Sequence, residues 1–169
     1  MFKCLALLLL LATPIAQTKQ QLRTMPSSAE ILELANKADE KVKVFEKALK
    51  ASAPYLDKDT VQTDQSAADG AHTLINTIRK NGPSMYGLVG LLSTLDDLTL
   101  DASRASRAII LAMSQNSLKI NSQNDPPTMT VMALMESENS LYDISDLLLH
   151  VTLRYAAAEN DVLEELLKK

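Results

Sequence analysis

The chain is poor in the residues that staple small folds or build sheets. It has one cysteine, four glycines, two phenylalanines and no tryptophan in 169 positions. The cysteine, Cys4, lies inside a leader-like start. Met1-Phe2-Lys3 is short and basic, Leu5 to Leu11 is apolar, and Ala12-Thr13-Pro14-Ile15-Ala16 supplies a breaker and small residues. This is the layout of a secretory signal peptide. The apolar run is too short for the roughly 20 residues that a membrane-spanning helix requires. Residues 1–16 are therefore expected to be removed, the mature protein to be secreted and extracellular, and no transmembrane segment to be present. Cleavage near Ala16 leaves no cysteine, which excludes disulfides, a thiol nucleophile and a haem-linking cysteine pair.

Basic clusters are missing as well. Lys and Arg number 17 against 21 Asp and Glu, for a net charge of −4. Losing Lys3 makes this about −5, a poor basis for binding nucleic acid or another polyanion. No Asn-x-Ser/Thr occurs, so N-glycosylation has no acceptor. A Ser/Thr/Pro-rich stalk and an apolar tail are also missing, so neither a wall stalk nor a glycolipid anchor is expected.

What is present is helical. Alanine and leucine dominate, a composition that favours helix over strand. Residues 17–26 read as a flexible polar segment and 27–169 as one bundle domain. Ser27-Ser28-Ala29-Glu30 forms a capping box that opens a helix over 27–52, with Ile31, Leu34, Ala38, Val42, Phe45 and Leu49 at helical steps. Ala53-Pro54 ends it. Asp59 with Gln62 is read as the next cap, for a helix to about Lys80 along Val61, Ala68, Ala71, Ile75 and Ile78. Asn81-Gly82-Pro83 is a stop followed by a start. A third helix over 84–120 carries Leu88, Leu92, Leu95, Leu98, Ala102, Ala105, Ile109 and Ala112. Asp125-Pro126-Pro127 opens the fourth, which runs to 167 with Leu134, Leu141, Ile144, Leu148, Val151, Tyr155, Ala158, Val162 and Leu166. Short links between four helices predict an all-α, up-down-up-down four-helix bundle with long third and fourth helices.

The polar candidates for chemistry read as surface. Asp69-x-x-His72 and Asp143-x-x-Asp146-x-x-x-His150 resemble the ligand spacing of di-iron bundles. At about 100° per residue, however, Asp143, Asp146 and His150 point away from the Leu141/Leu148/Tyr155 stripe, Asp69 points outward, and His72 lies on the flank. No metal and no cofactor is expected, and His72 is expected to lie off the core. Asp97, Asp101 and Arg104 fall opposite Leu95 and Ala102, with Asp101 and Arg104 spaced to pair. No Gly-x-Ser-x-Gly accompanies the serines. No catalytic residue emerges, and the chain reads as a non-enzyme.

The fourth helix differs. Leu147-Leu148-Leu149 sits among Ile144, Val151 and Leu153, and Met129, Met132 and Met135 extend apolar surface upstream. Its apolar arc is wider than one stripe, and methionine adapts to irregular partners. Meanwhile Ala67, Ala68 and Ala71 of the second helix fill little volume. A gap between small and large faces would accept an acyl chain, lined by Leu88, Leu92, Leu95, Leu141, Ile144, Leu148 and Val151. Burying about 14 methylenes at about 0.8 kcal/mol each gives roughly 11 kcal/mol. Association costs of at least about 4 kcal/mol leave micromolar-range binding.

Ala38-Asp39-Glu40-Lys41-Val42 with Phe45 and Ala48, Leu74-Ile75-Asn76-Thr77-Ile78, the long Leu- and Ala-rich third helix and Leu141 to Leu149 occur in a particular order. That order resembles the fungal hydrophobic surface-binding protein and cell-wall mannoprotein family over about residues 29 to 166. The resemblance implies a small secreted helical bundle that holds fatty acids or coats hydrophobic surfaces, and it brings no catalytic residue. The more hydrophobic fourth helix and the charged Glu164-Glu165-Leu166-Leu167-Lys168-Lys169 end depart from the family pattern. The expected function is a secreted, non-enzymatic module for a fatty-acid-like ligand or a hydrophobic surface. The alternative is an interaction bundle with a filled core, meeting a protein partner through an exposed face.

Overall fold

The computed structural model describes residues 24–115, 118, 122 and 124–167. Within them the chain forms α1 (Ser28–Ser52), α2 (Lys58–Asn81), α3 (Met85–Ser114) and α4 (Pro126–Leu167), with no strand. The signal-like residues 1–16 lie outside the described residues, as does most of the 17–26 segment.

Local chemistry sets most helix ends. Ser27 caps α1 by accepting from the Glu30 amide at 3.1 Å. The reciprocal half of the box is not made, because the Glu30 carboxylate reaches Arg154 of α4 at 2.7 Å. The cap of α2 is Asp57, not the expected Asp59. Asp57 accepts from the Thr60 amide at 2.8 Å and from the Thr60 hydroxyl at 2.6 Å, and this pair of hydrogen bonds selects the frame. Gly82, at φ +82°, ends α2 in backbone geometry that favours glycine. Ser84 then caps α3 through the Gly87 amide. The third helix ends at Ser114, short of the expected 120; the Ser114 hydroxyl donates to Leu111 O within the last turn.

Successive helices run antiparallel. Gln65 of α2 meets Glu46 of α1, whereas Arg79 meets Asn36. Ser145 of α4 meets Asp96 of α3, and the Tyr155 hydroxyl of α4 donates to Pro83 O at the start of α3. Each helix packs on its neighbours in sequence, and α1 against α4 closes the square. Across the diagonals α1 and α3 meet narrowly, and α2 and α4 do not meet among the described residues. The expected up-down-up-down bundle is formed.

Most residues of the expected stripes are buried, including Phe45, Leu49, Ile75, Leu98 and Leu141. Each such side chain contributes about 1.5–3 kcal/mol of transfer free energy. At about 1.5 Å per residue, α4 spans roughly 60 Å and outruns α1 and α2. Where α3 and α4 pass the start of α2, a second cluster of Ala48, Ala105, Ile109, Val131 and Leu134 closes the end. At the other end α4 outlasts its neighbours, so Val162 is exposed although it continues the stripe.

Candidate functional site

The residues expected to line an acyl gap are brought together, but as core. Leu88, Leu95, Leu141, Ile144, Leu148 and Val151 are all buried in the main cluster that also contains Ala68 and Ala71. The small side chains let helices approach. A Cβ on Gly90 would meet Leu74 Cδ2 at 3.4 Å, and one on Gly87 would meet Ile78 Cγ1 at 3.4 Å. Closeness therefore fills part of the volume that alanine and glycine leave between α2 and α3. Leu92 differs from the other six. It packs on the core from its edge and opens to a groove of about 160 Å³ between α3 and α4.

A larger cleft lies elsewhere. About 780 Å³ opens between the end of α1 and the start of α2, against Leu49, Ala53 and Val61, with Lys47, Lys50 and Lys58 among its lining. None of the seven expected lining residues borders it. Its sequence trace is the thin, polar start of α2, where Val61 is the first apolar stripe position and is only partly buried.

The α1–α2 seam carries a polar network. His72 Nδ1 lies 2.7 Å from Asp39 Oδ1, and Nε2 lies 3.2 Å from Glu46 Oε2. Lys43 and Arg79 also donate to Asp39, at 2.7 and 3.1 Å. Burial pushes the Asp39 carboxyl up, but hydrogen bonds from Lys43, Arg79 and His72 outweigh it and hold the group at about 2. His72 is thus more than a flank residue: it ties two helices through two carboxylates. Both ring nitrogens are engaged. His150 is exposed and faces Asp146 at 3.8 Å. Among the described residues no group of three or more His, Cys, Asp or Glu could hold a metal ion.

Across α2 the situation reverses. Asp64 is buried, and its Oδ2 has no hydrogen-bond partner among the described residues. Burial first and the neighbouring Asp101 second raise its carboxyl to about 6, against the pull of Arg104. Asp101 and Arg104 pair at 3.3 Å, as their spacing implies. Asp101, however, is turned partly inward and not out on the expected surface, and burial raises its carboxyl too.

The exterior is lopsided. Among the described residues, 17 large apolar side chains are exposed, nine on α4, five on α3, two on α1 and none on α2. Met135, Tyr142, Leu149 and Leu153 follow steps of seven, seven and four along one side of α4. Tyr142 and Leu149 border the groove that Leu92 enters. No described helix is long and apolar enough to cross a membrane. Compared with protein-family models, with curated proteins and with solved structures, the chain finds no match.

Proposed function

We propose that this protein is a secreted, non-enzymatic binding module that attaches through the apolar exterior of α3 and α4 to a hydrophobic surface or partner. The observation that carries the reading is the asymmetry of exposed large apolar residues, 14 of 17 among the described residues lying on these two helices. Exposed apolar residues that gather on one side of a domain mark an interaction site, and Met135, Tyr142, Leu149 and Leu153 share one side of α4. The basic, apolar and small-residue order of Met1 to Ala16 supports secretion. The resemblance to hydrophobic surface-binding proteins points the same way.

The test compares adsorption to an alkyl-coated sensor for the wild type, for Tyr142→Ser/Leu149→Ser/Leu153→Ser and for the control Leu32→Ser/Val44→Ser on α1. The first variant should lose most adsorption and the second little. Equal loss would remove the assignment to α3 and α4.

The α1–α2 cleft favours a second reading, an apolar molecule held by the protein. Leu49, Ala53 and Val61 offer it apolar wall, and Lys47, Lys50 and Lys58, which outnumber Glu46 and Asp69 in the lining, suit an anionic head such as a fatty-acid carboxylate. Extraction of secreted protein followed by mass spectrometry would detect the occupant. Lys47→Glu/Lys50→Glu should weaken palmitate binding without altering adsorption. Palmitate binding that is absent, or unchanged in that variant, would end this reading.

A further inference from the structure

We infer that the groove between α3 and α4 receives a lysine or arginine side chain from a basic amphipathic helix of a partner protein. The inference rests on the function proposed above and names the partner chemistry that the same face selects. The groove measures about 160 Å³, with Leu92, Tyr142 and Leu149 forming apolar wall and Asp96 and Asp146 supplying carboxylates. That is the size of a side chain; pockets for drug-sized ligands run to about 300–1,000 Å³. Lysine and arginine bury an aliphatic stem on apolar surface and keep a charged head outside it. Leucine wall with flanking carboxylates matches both parts, and the Tyr142 ring adds a surface on which a cation packs well.

The carboxylates are available. Asp96 is exposed at the groove and accepts a hydrogen bond from the Ser145 hydroxyl. Asp146 is half-exposed and faces the exposed His150 at 3.8 Å. Among the described residues no lysine or arginine forms an ion pair with either.

Charge then chooses between occupants of the wider face. Pro126–Leu167 contains eight carboxylates and one basic side chain, Arg154. Arg154 is already spent on Glu30. A second copy of the chain would bring the same acidic helix against itself, and an anionic lipid surface would be repelled. A basic helix is attracted. Met135, Tyr142 and Leu149 recur at seven-residue steps along α4, the last two bordering the groove, a register in which a docked helix presents successive apolar anchors. Methionine suits such an interface because its side chain adapts.

The test uses the full secreted chain with two fluorescent helical peptides sharing one leucine face, one with lysine and one with glutamate on the other face. Anisotropy titration should show the lysine peptide binding at least about tenfold more tightly, with the preference shrinking in high salt. Asp96→Asn/Asp146→Asn should weaken the lysine peptide about tenfold and leave adsorption to the alkyl surface unchanged. Glu136→Gln/Asp143→Asn, which removes equal charge elsewhere on α4, should have little effect. Equal affinity for both peptides, or equal weakening by the two charge variants, would overturn the inference while leaving surface attachment standing. A wild type that neither adsorbs nor binds either peptide would overturn both.

Discussion

The α1–α2 side and the α3–α4 side of this bundle use opposite solutions at their outer faces. Between α1 and α2, Asp39, Glu46, His72, Arg79 and Lys43 hydrogen-bond across and along the seam, and α2 exposes no large apolar residue among those described. Between α3 and α4 the core is apolar and the exterior remains partly apolar too, from Val89 and Leu100 on one helix to Tyr142 and Leu149 on the other. A bundle needs one buried stripe per helix. Among the described residues the first side leaves only two large apolar residues, Leu32 and Val44 of α1, in the open and otherwise finishes its surface with charge, whereas the second carries 14 large apolar residues that folding does not bury. That surplus is the physical basis for assigning function to α3 and α4.

The sharpest break of the comparison sets neighbours on α4 against each other. Leu148 is 2% exposed and Leu149 is 40% exposed. Leu148→Ala should cost about 2–5 kcal/mol, read by urea unfolding, and Leu148→Asp should abolish folding because its carboxylate would be buried unpaired. If Leu148→Ala costs under about 1 kcal/mol, the region around it is not a packed core.

Next in size is the polar seam. Asp39→Asn should destabilise by about 1–3 kcal/mol at neutral pH, since it strips a largely buried carboxylate from three donors. The Asp39 carboxyl lies below its ordinary value. Its stabilising contribution is therefore present above pH 4 and lost as pH falls from 4 towards about 2. An acid titration of wild type and variant in which the difference persists at pH 2 would contradict this account. His72→Ala should also destabilise, because the ring joins carboxylates 33 and 26 residues away in sequence.

Asp64 should behave in the opposite sense and with a smaller amplitude. Its folded carboxyl is raised to about 6, so its contribution is most favourable below pH 4 and is lost as pH rises through about 6. Asp64→Asn should raise the melting temperature at pH 7 and leave it nearly unchanged at pH 4. Lower stability at pH 7 would mean that the carboxylate is satisfied after all. The smallest expected effect is Leu149→Ser, which should shift stability by no more than about 0.5 kcal/mol while reducing adsorption.

Much of the bundle was legible because helix ends and stripes are local. Ser27, Gly82 and the 3.6-residue period all act over one or two turns. The second cap was misread because Asp57 and Asp59 offer the same side chain, and Thr60 decides between them with its hydroxyl. Val162 was assigned to the stripe because periodicity does not reveal where a neighbouring helix runs out. The proposed ligand lining was harder still. Seven apolar residues on one side of two helices look the same whether a gap or a third helix faces them, and here Ala68 and Ala71 belong to the same packed core as six of the seven. The α1–α2 cleft left little trace because it is formed by the separation of two helix ends. Periodicity puts His72 on a flank and says nothing of Asp39 and Glu46, because those partners lie on another helix.

Oxidation of individual methionines tests the working face most directly. Met132 and Met135 of α4 and Met25 ahead of α1 are each about half exposed in the free protein, so dilute peroxide should convert all three to sulfoxide readily. Peptide mapping of protein adsorbed on an alkyl surface should show Met132 and Met135 protected several-fold relative to free protein, with Met25 still reactive. Protection of Met25 with Met132 and Met135 left open would place the attaching surface elsewhere and contradict the assignment to α3 and α4.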